Sequence, residues 1–142
     1  MSEAFDRSIL PIPDVDAPGP TILPNPVAVV FDAGGNAYVL DRRRSRIVVF
    51  ARGTGLPART IGSPGSGPGQ LRNPSALAID SGGTLYVGDS GNERIARFGP
   101  GGGYLGSTTS VGDVRGIAVT PDGARTYVAT SNHRIGVYDP SG

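Results

Sequence analysis

The sequence predicts an all-β protein built from a repeated four-stranded sheet, and three observations carry that prediction. First, residues 25–50 (NPVAVVFDAGGNAYVLDRRRSRIVVF) align without a gap on residues 73–98 (NPSALAIDSGGTLYVGDSGNERIARF), at a shift of 48. The matched pairs include Asn25/Asn73, Pro26/Pro74, Asp32/Asp80, Gly35/Gly83, Tyr38/Tyr86, Asp41/Asp89, Arg46/Arg94, Ile47/Ile95 and Phe50/Phe98. A weaker third copy, residues 114–138, keeps Ala118, Gly123, Tyr127, Val128, Arg134, Ile135 and Tyr138, with one extra residue near Arg125 and one fewer in the next turn. Second, each copy holds three short apolar runs divided by Gly- and Asn-containing breaks, which supply the positive φ that tight turns require. Third, no stretch keeps a helical period over ten residues.

In the second copy the runs are Ser75–Asp80, Leu85–Asp89 and Arg94–Phe98. A fourth, less regular strand follows each triplet, Ala58–Gly62 after the first and Tyr104–Ser110 after the second. Four antiparallel strands recurring every 40 to 48 residues have the size of a β-propeller blade. Small residues recur in the first strand of each copy, Ala28, Ala76 and Gly116 and then Val30, Ala78 and Ala118, as crowding around a central channel demands. A parallel β-helix fits less well, because its rungs are shorter and do not pair hairpins in this way. The expected organisation is a Pro-rich segment over 1–24 and three blades over 25–62, 73–110 and 114–142.

Three blades fall short of the four to eight that close a propeller. The chain is therefore expected to be a fragment of a longer protein, a homodimer closing as a six-bladed ring, or an open array capped by its N-terminal segment. That segment carries five prolines, Pro11, Pro13, Pro18, Pro20 and Pro24, and reads as extended or linker-like. Within it, Ser8-Ile9-Leu10 or Thr21-Ile22-Leu23 could supply a missing outer strand.

Composition narrows the function classes. Glycine (23) and proline (13) form about a quarter of the 142 residues, yet they punctuate apolar runs and so mark turns, not disorder. With 13 basic and 12 acidic residues the net charge is +1, and no global field draws the chain to nucleic acid or an anionic membrane. All the basic residues are arginine, which a GC-rich bacterial genome explains. There is no cysteine, so disulfides and thiolate metal sites are excluded and the redox compartment stays open. The N-terminus lacks a signal-peptide pattern and no apolar run reaches membrane-spanning length; a soluble protein, cytoplasmic by default, is expected.

The stretch Thr60-Ile61-Gly62-Ser63-Pro64-Gly65-Ser66-Gly67-Pro68-Gly69-Gln70-Leu71-Arg72-Asn73-Pro74 resembles the glycine-rich link between NHL-repeat blades. Tyr86-Val87-Gly88-Asp89 followed by Arg94-Ile95 resembles the core motif of the same family, over a likeness spanning roughly 25–138. The resemblance implies that the Asp and Arg brace the hairpin between second and third strands, at Asp41/Arg46 and Asp89/Arg94. A charge-assisted bidentate bond suits residues so placed. The third copy departs, with Thr130 in place of the Asp, so its hairpin is expected to be the least rigid unless Asp122 or Asp139 substitutes.

Catalytic readings fare poorly. Gly88-Asp89-Ser90-Gly91 resembles the nucleophile stretch of trypsin-like serine proteases, but a triad needs a histidine base and the chain has one histidine, His133. The same positions in the first copy read Leu40-Asp41-Arg42-Arg43, so Ser90 is a hairpin-turn residue. A single histidine without cysteine cannot form the usual zinc sets; NHL-like lyases draw on several histidines. The glycine clusters contain no GxxxxGK[ST] pattern and precede strands, so they are not phosphate loops. No catalytic residue, metal ligand or cofactor is expected.

One feature exceeds the needs of the repeat. Arg42-Arg43-Arg44 aligns with Ser90-Gly91-Asn92, so that hairpin does not require arginine. Propeller topology places this turn on the face of the blade-joining loops, near Arg72 and His133. The nominated ligand contacts are Arg42, Arg43, Arg44, Arg72, Glu93 and His133. The expected function is a non-catalytic binding or scaffold module that offers one propeller face to a protein, peptide or glycan, with self-association available to close the ring. Two alternatives stand beside it: part of a larger lyase or hydrolase propeller, and RNA binding through Arg42–Arg44, as the resemblance to animal TRIM-type NHL proteins implies. The balanced charge and Glu93 weigh against nucleic acid.

Overall fold

The computed structural model describes residues 23–109 and 111–139. Strands β1 (Pro26–Phe31), β2 (Ala37–Asp41), β3 (Arg46–Phe50) and β4 (Pro57–Ile61) form one antiparallel meander, blade 1. A linker follows, in which β5 (Ser63–Pro64) and β6 (Gln70–Leu71) make a short parallel pair. Blade 2 comprises β7 (Pro74–Ile79), β8 (Leu85–Asp89), β9 (Arg94–Phe98) and β10 (Tyr104–Thr109). Blade 3 contains β11 (Val114–Val119), β12 (Thr126–Thr130) and β13 (Ile135–Tyr138). Among the described residues no helix is long and apolar enough to cross a membrane.

The sequence reading misplaces a few edges for local reasons. The strand expected over Ala58–Gly62 is Pro57–Ile61, because Gly62 turns to φ +88° and leaves the sheet. The strand expected to end at Asp80 ends at Ile79, because the Asp80 carboxylate caps its own turn by accepting from the backbone N–H groups of Gly82 and Thr84. The parallel β5–β6 pair is an addition, since runs of two residues carry no periodic signal. Blade 3 shows three strands among the described residues, and its outer strand is the one that the sequence reading expects to be missing. The N-terminal segment nominated for the fourth, apart from Leu23, and residues 140–142 lie outside the described residues.

Each blade carries the same irregularity: the pairing of first and second strands slips at Pro26/Ala28, Pro74/Ala76 and Val114/Gly116. Such bulges sharpen the strand twist, and their recurrence makes the sheets superimposable units. Register then decides which side chains meet. Across blade 2, Leu77–Val87–Ala96 and Ile79–Leu85–Phe98–Tyr104 form rows on one face, and Ala76–Gly88–Ile95 and Ala78–Tyr86 form rows on the other. The first face packs on blade 1 in a cluster with Tyr38, Leu40, Ile47 and Val49. The second packs on Val114 and Val128 of blade 3. Burial of each Leu, Ile, Val or Phe side chain in these clusters contributes about 1.5–3 kcal/mol. Blade 2 is therefore apolar on both faces and its neighbours bury one face each.

Gly88 shows how the second seam closes. A Cβ there would lie 2.6 Å from Val114 Cγ1 and 2.9 Å from Val114 Cβ, so only glycine lets blade 3 approach this closely. The same position in blade 1 is Leu40, fully buried in the first seam. The two seams use one geometry with different filling.

Candidate functional site

The residues around the hairpin turns define the loop-bearing face. In blade 2 the fully buried Asp89 ends β8 and Arg94 begins β9. Asp89 Oδ2 accepts from Arg94 Nε at 2.8 Å and from Asn92 Nδ2 at 2.8 Å, while Oδ1 accepts from the Arg72 backbone N–H at 2.6 Å. The bond is not bidentate as expected. Arg94 gives Asp89 one nitrogen and turns Nη2 to the carbonyls of Gly67 (2.9 Å) and Gln70 (2.6 Å). One arginine thus ties the hairpin to the preceding linker.

Blade 1 repeats the pair more loosely. Arg46 Nε stands 3.4 Å from Asp41 Oδ2, and Asp41 Oδ1 accepts from Asn25 N at 3.3 Å. In blade 3 the Thr130 hydroxyl donates to Asn132 Oδ1 and to the Arg134 carbonyl, closing the turn internally, and Arg134 is exposed.

Ser90, read from sequence as a turn residue only, latches two blades. Its hydroxyl accepts from the Val114 backbone N–H at 3.0 Å and lies 2.6 Å from the Ser75 hydroxyl, which donates to the Val114 carbonyl. Gly91 backs onto Arg72, where a Cβ would meet the backbone oxygen at 2.6 Å. The turn of blade 2 is consumed by structure, and that of blade 1 is not.

Arg42 and Arg43 are exposed and line a recess of about 550 Å³ together with Arg72. Its floor and sides come from Ser45, from Pro64, Gly65 and Leu71 of the linker, and from Asn25 and Asn73 at the starts of the two blades. No carboxylate lines it. Of the nominated ligand contacts, the structure gathers Arg42, Arg43 and Arg72 around this recess. Arg44, Glu93 and His133 are exposed and do not line it. Glu93 and His133 instead share a structural duty with Ser45: each precedes the hairpin arginine, with φ of +52°, +66° and +51°, and so closes its turn in the left-handed region. Asn25, Asn73 and the linker residues were not nominated from sequence, although the Asn25/Asn73 repeat was a signal. Among the described residues no group of three or more His, Cys, Asp or Glu could hold a metal.

The opposite face carries a second repeated device. Tyr38 donates to Asp32 Oδ2 and Tyr86 to Asp80 Oδ2, both at 3.0 Å. Hydrogen bonding from Asn36, foremost, holds the Asp32 carboxyl below its usual range. Burial, and then the bond to Asp80, push the Tyr86 phenol up to about 12. A phenol that keeps its proton in the fold but loses it near pH 10 when unfolded stabilises the fold fully below about pH 10. That contribution should fade as pH rises from about 10 towards 12. Tyr86→Phe should flatten this part of the stability profile, measured by urea denaturation at stepped pH.

Residues 71–98 match the NHL repeat, the span from the end of the linker through β9. The match takes in three of the second blade's four strands, β7, β8 and β9. Solved structures similar to this chain include Kuenenia stuttgartiensis hydrazine synthase (19% identity, TM-score 0.72, covering 87% of this chain and 36% of that one). The RRP9 WD40 repeats (17%, 0.73, 87% and 37%) and U3-55K (18%, 0.72, 87% and 38%) are similar to the same degree. At such identities the likeness establishes the fold, which is that of a β-propeller. This chain spans somewhat over a third of the length of those structures, and its described sheets form an arc, not a closed ring. No curated protein matches the sequence. The Asp89–Arg94 clamp lies within the matched NHL segment.

Proposed function

We propose that this propeller arc is a non-catalytic binding module whose recess between blades 1 and 2 accepts an acidic segment of a protein or peptide. The observation that carries the reading is the convergence of Arg42, Arg43 and Arg72 from two separate loops on one recess without a lining carboxylate. Guanidinium groups recognise carboxylates through paired N–H donors, and the recess has the volume of an ordinary ligand site. The glycan, RNA and larger-enzyme readings lack an equivalent feature; Arg44, which an extended basic stripe would use, stands outside the recess.

Exposed ion pairs contribute about 0.2–1 kcal/mol each, so binding should be modest and salt-sensitive. Fluorescence anisotropy with a labelled oligoglutamate peptide tests it. The triple variant Arg42→Ala, Arg43→Ala, Arg72→Ala should lose about tenfold in affinity, and Arg44→Ala should lose almost none. Equal affinity in the triple variant and the parent chain would refute the proposal. Preference for single-stranded RNA over the peptide would replace it with the RNA reading.

A further inference from the structure

The repeat makes it possible to ask, position by position, what each exposed apolar residue would touch in a neighbouring blade. Ile47, Ile95 and Ile135 occupy one repeat position, the residue after the hairpin arginine. Ile47 is 0% exposed against blade 2 and Ile95 is 2% exposed against blade 3, yet Ile135 is 68% exposed. The tyrosines behave alike: Tyr38 and Tyr86 are buried and Tyr127 is exposed. These residues form the face that each blade turns towards the next one, and on blade 3 no described blade packs against that face.

The opposite end of the arc shows the counterpart. Val29 and Phe31 lie 48 positions before Leu77 and Ile79, the β7 residues that blade 2 turns towards blade 1. Leu77 is buried in the first seam with Ile79 packed against it, whereas Val29 is 55% and Phe31 63% exposed at the edge of a face whose middle, Val48, is 4% exposed. Each free face is therefore the repeat equivalent of one side of a seam already formed twice within the chain. The two free faces are complements, not copies, of one another.

We propose that two copies of this chain dock head to tail, blade 3 of each against blade 1 of the other, closing a ring of six blades. A head-to-tail contact generates a ring when its rotation closes. The three described blades cannot close on themselves, and six fall within the four to eight that propellers use. A second copy supplies the complement to both faces at once through a single type of seam. Pairing of like faces, blade 1 on blade 1, would instead set residues together that no seam in the structure brings together.

Sedimentation of the 142-residue chain tests this, with a species of twice the 14.5 kDa chain mass expected. Ile135→Arg and Val29→Arg strike opposite faces, and each should return the chain to monomer with its β-sheet circular dichroism unchanged. An equimolar mixture of the two variants should regain a two-chain species, since one intact seam remains between them. Should either variant lose its β-sheet signal, Ile135→Thr or Val29→Thr takes its place. A parent chain that stays monomeric overturns the proposal and leaves the faces to other blades. So does a dimer that survives either substitution, a mixture that fails to recombine, or assembly that grows with concentration beyond two chains.

Discussion

Replacing Asp89 with alanine should cost about 3–5 kcal/mol of folding stability, the range for breaking one side of a buried ion pair. The carboxylate is fully buried and accepts from Arg94 Nε, Asn92 Nδ2 and the Arg72 backbone N–H. Its loss strands the Arg94 guanidinium, whose side chain is 11% exposed, and releases the start of blade 2. Asp41→Ala is the internal comparison. There the Arg46 contact is 3.4 Å and the arginine side chain 21% exposed, so the cost should be clearly smaller. Urea denaturation of both variants measures the difference. Equal losses would mean that the contacts with Asn92 and Arg72 contribute nothing beyond the pair itself.

Phe98→Ala should be about as damaging, at about 3–5 kcal/mol. The ring is buried in the seam between blades 1 and 2 and meets Tyr104 edge-on, with centroids 5.7 Å apart and planes at 67°. Truncation would leave a cavity walled by the well-packed Leu85 row. Phe50, at the same repeat position, lies on the free face of blade 1 and is only half-buried. Made in the monomeric Ile135→Arg background, where no second chain covers blade 1, Phe50→Ala should therefore cost less than Phe98→Ala. The paired result separates burial from residue type, because chemistry and strand position are constant.

Much of this architecture was legible in the sequence, and the reasons are physical. The ungapped 48-residue shift exposed the blade unit because equivalent rows must place like side chains at like positions. Leu85–Asp89 and Arg94–Phe98 were read with correct ends, since a charged residue closes or opens each strand. Strand edges governed by side-chain capping, as at Asp80, were missed by one residue. Arg42, Arg43 and Arg72 were singled out because they exceed what the repeat needs. The recess itself was not legible: Pro64, Gly65 and Leu71 reach it only through the folding of the linker over Arg94. Glu93 and His133 were singled out for their chemistry, and the left-handed backbone that each adopts before the hairpin arginine adds a role that side-chain chemistry does not display. Ser90 was read as a turn residue, but its grip on Val114 depends on a residue 24 positions away.

The way blade 2 is clasped has a consequence for how the molecule loosens. Contacts run almost wholly between adjacent sheets, so cohesion passes along the arc like couplings in a train. Within a single undocked chain the middle carriage is held at both ends and the outer described ones at a single end. In that state breathing motions should begin at the outer sheets, and blade 2 should be the last part to come undone.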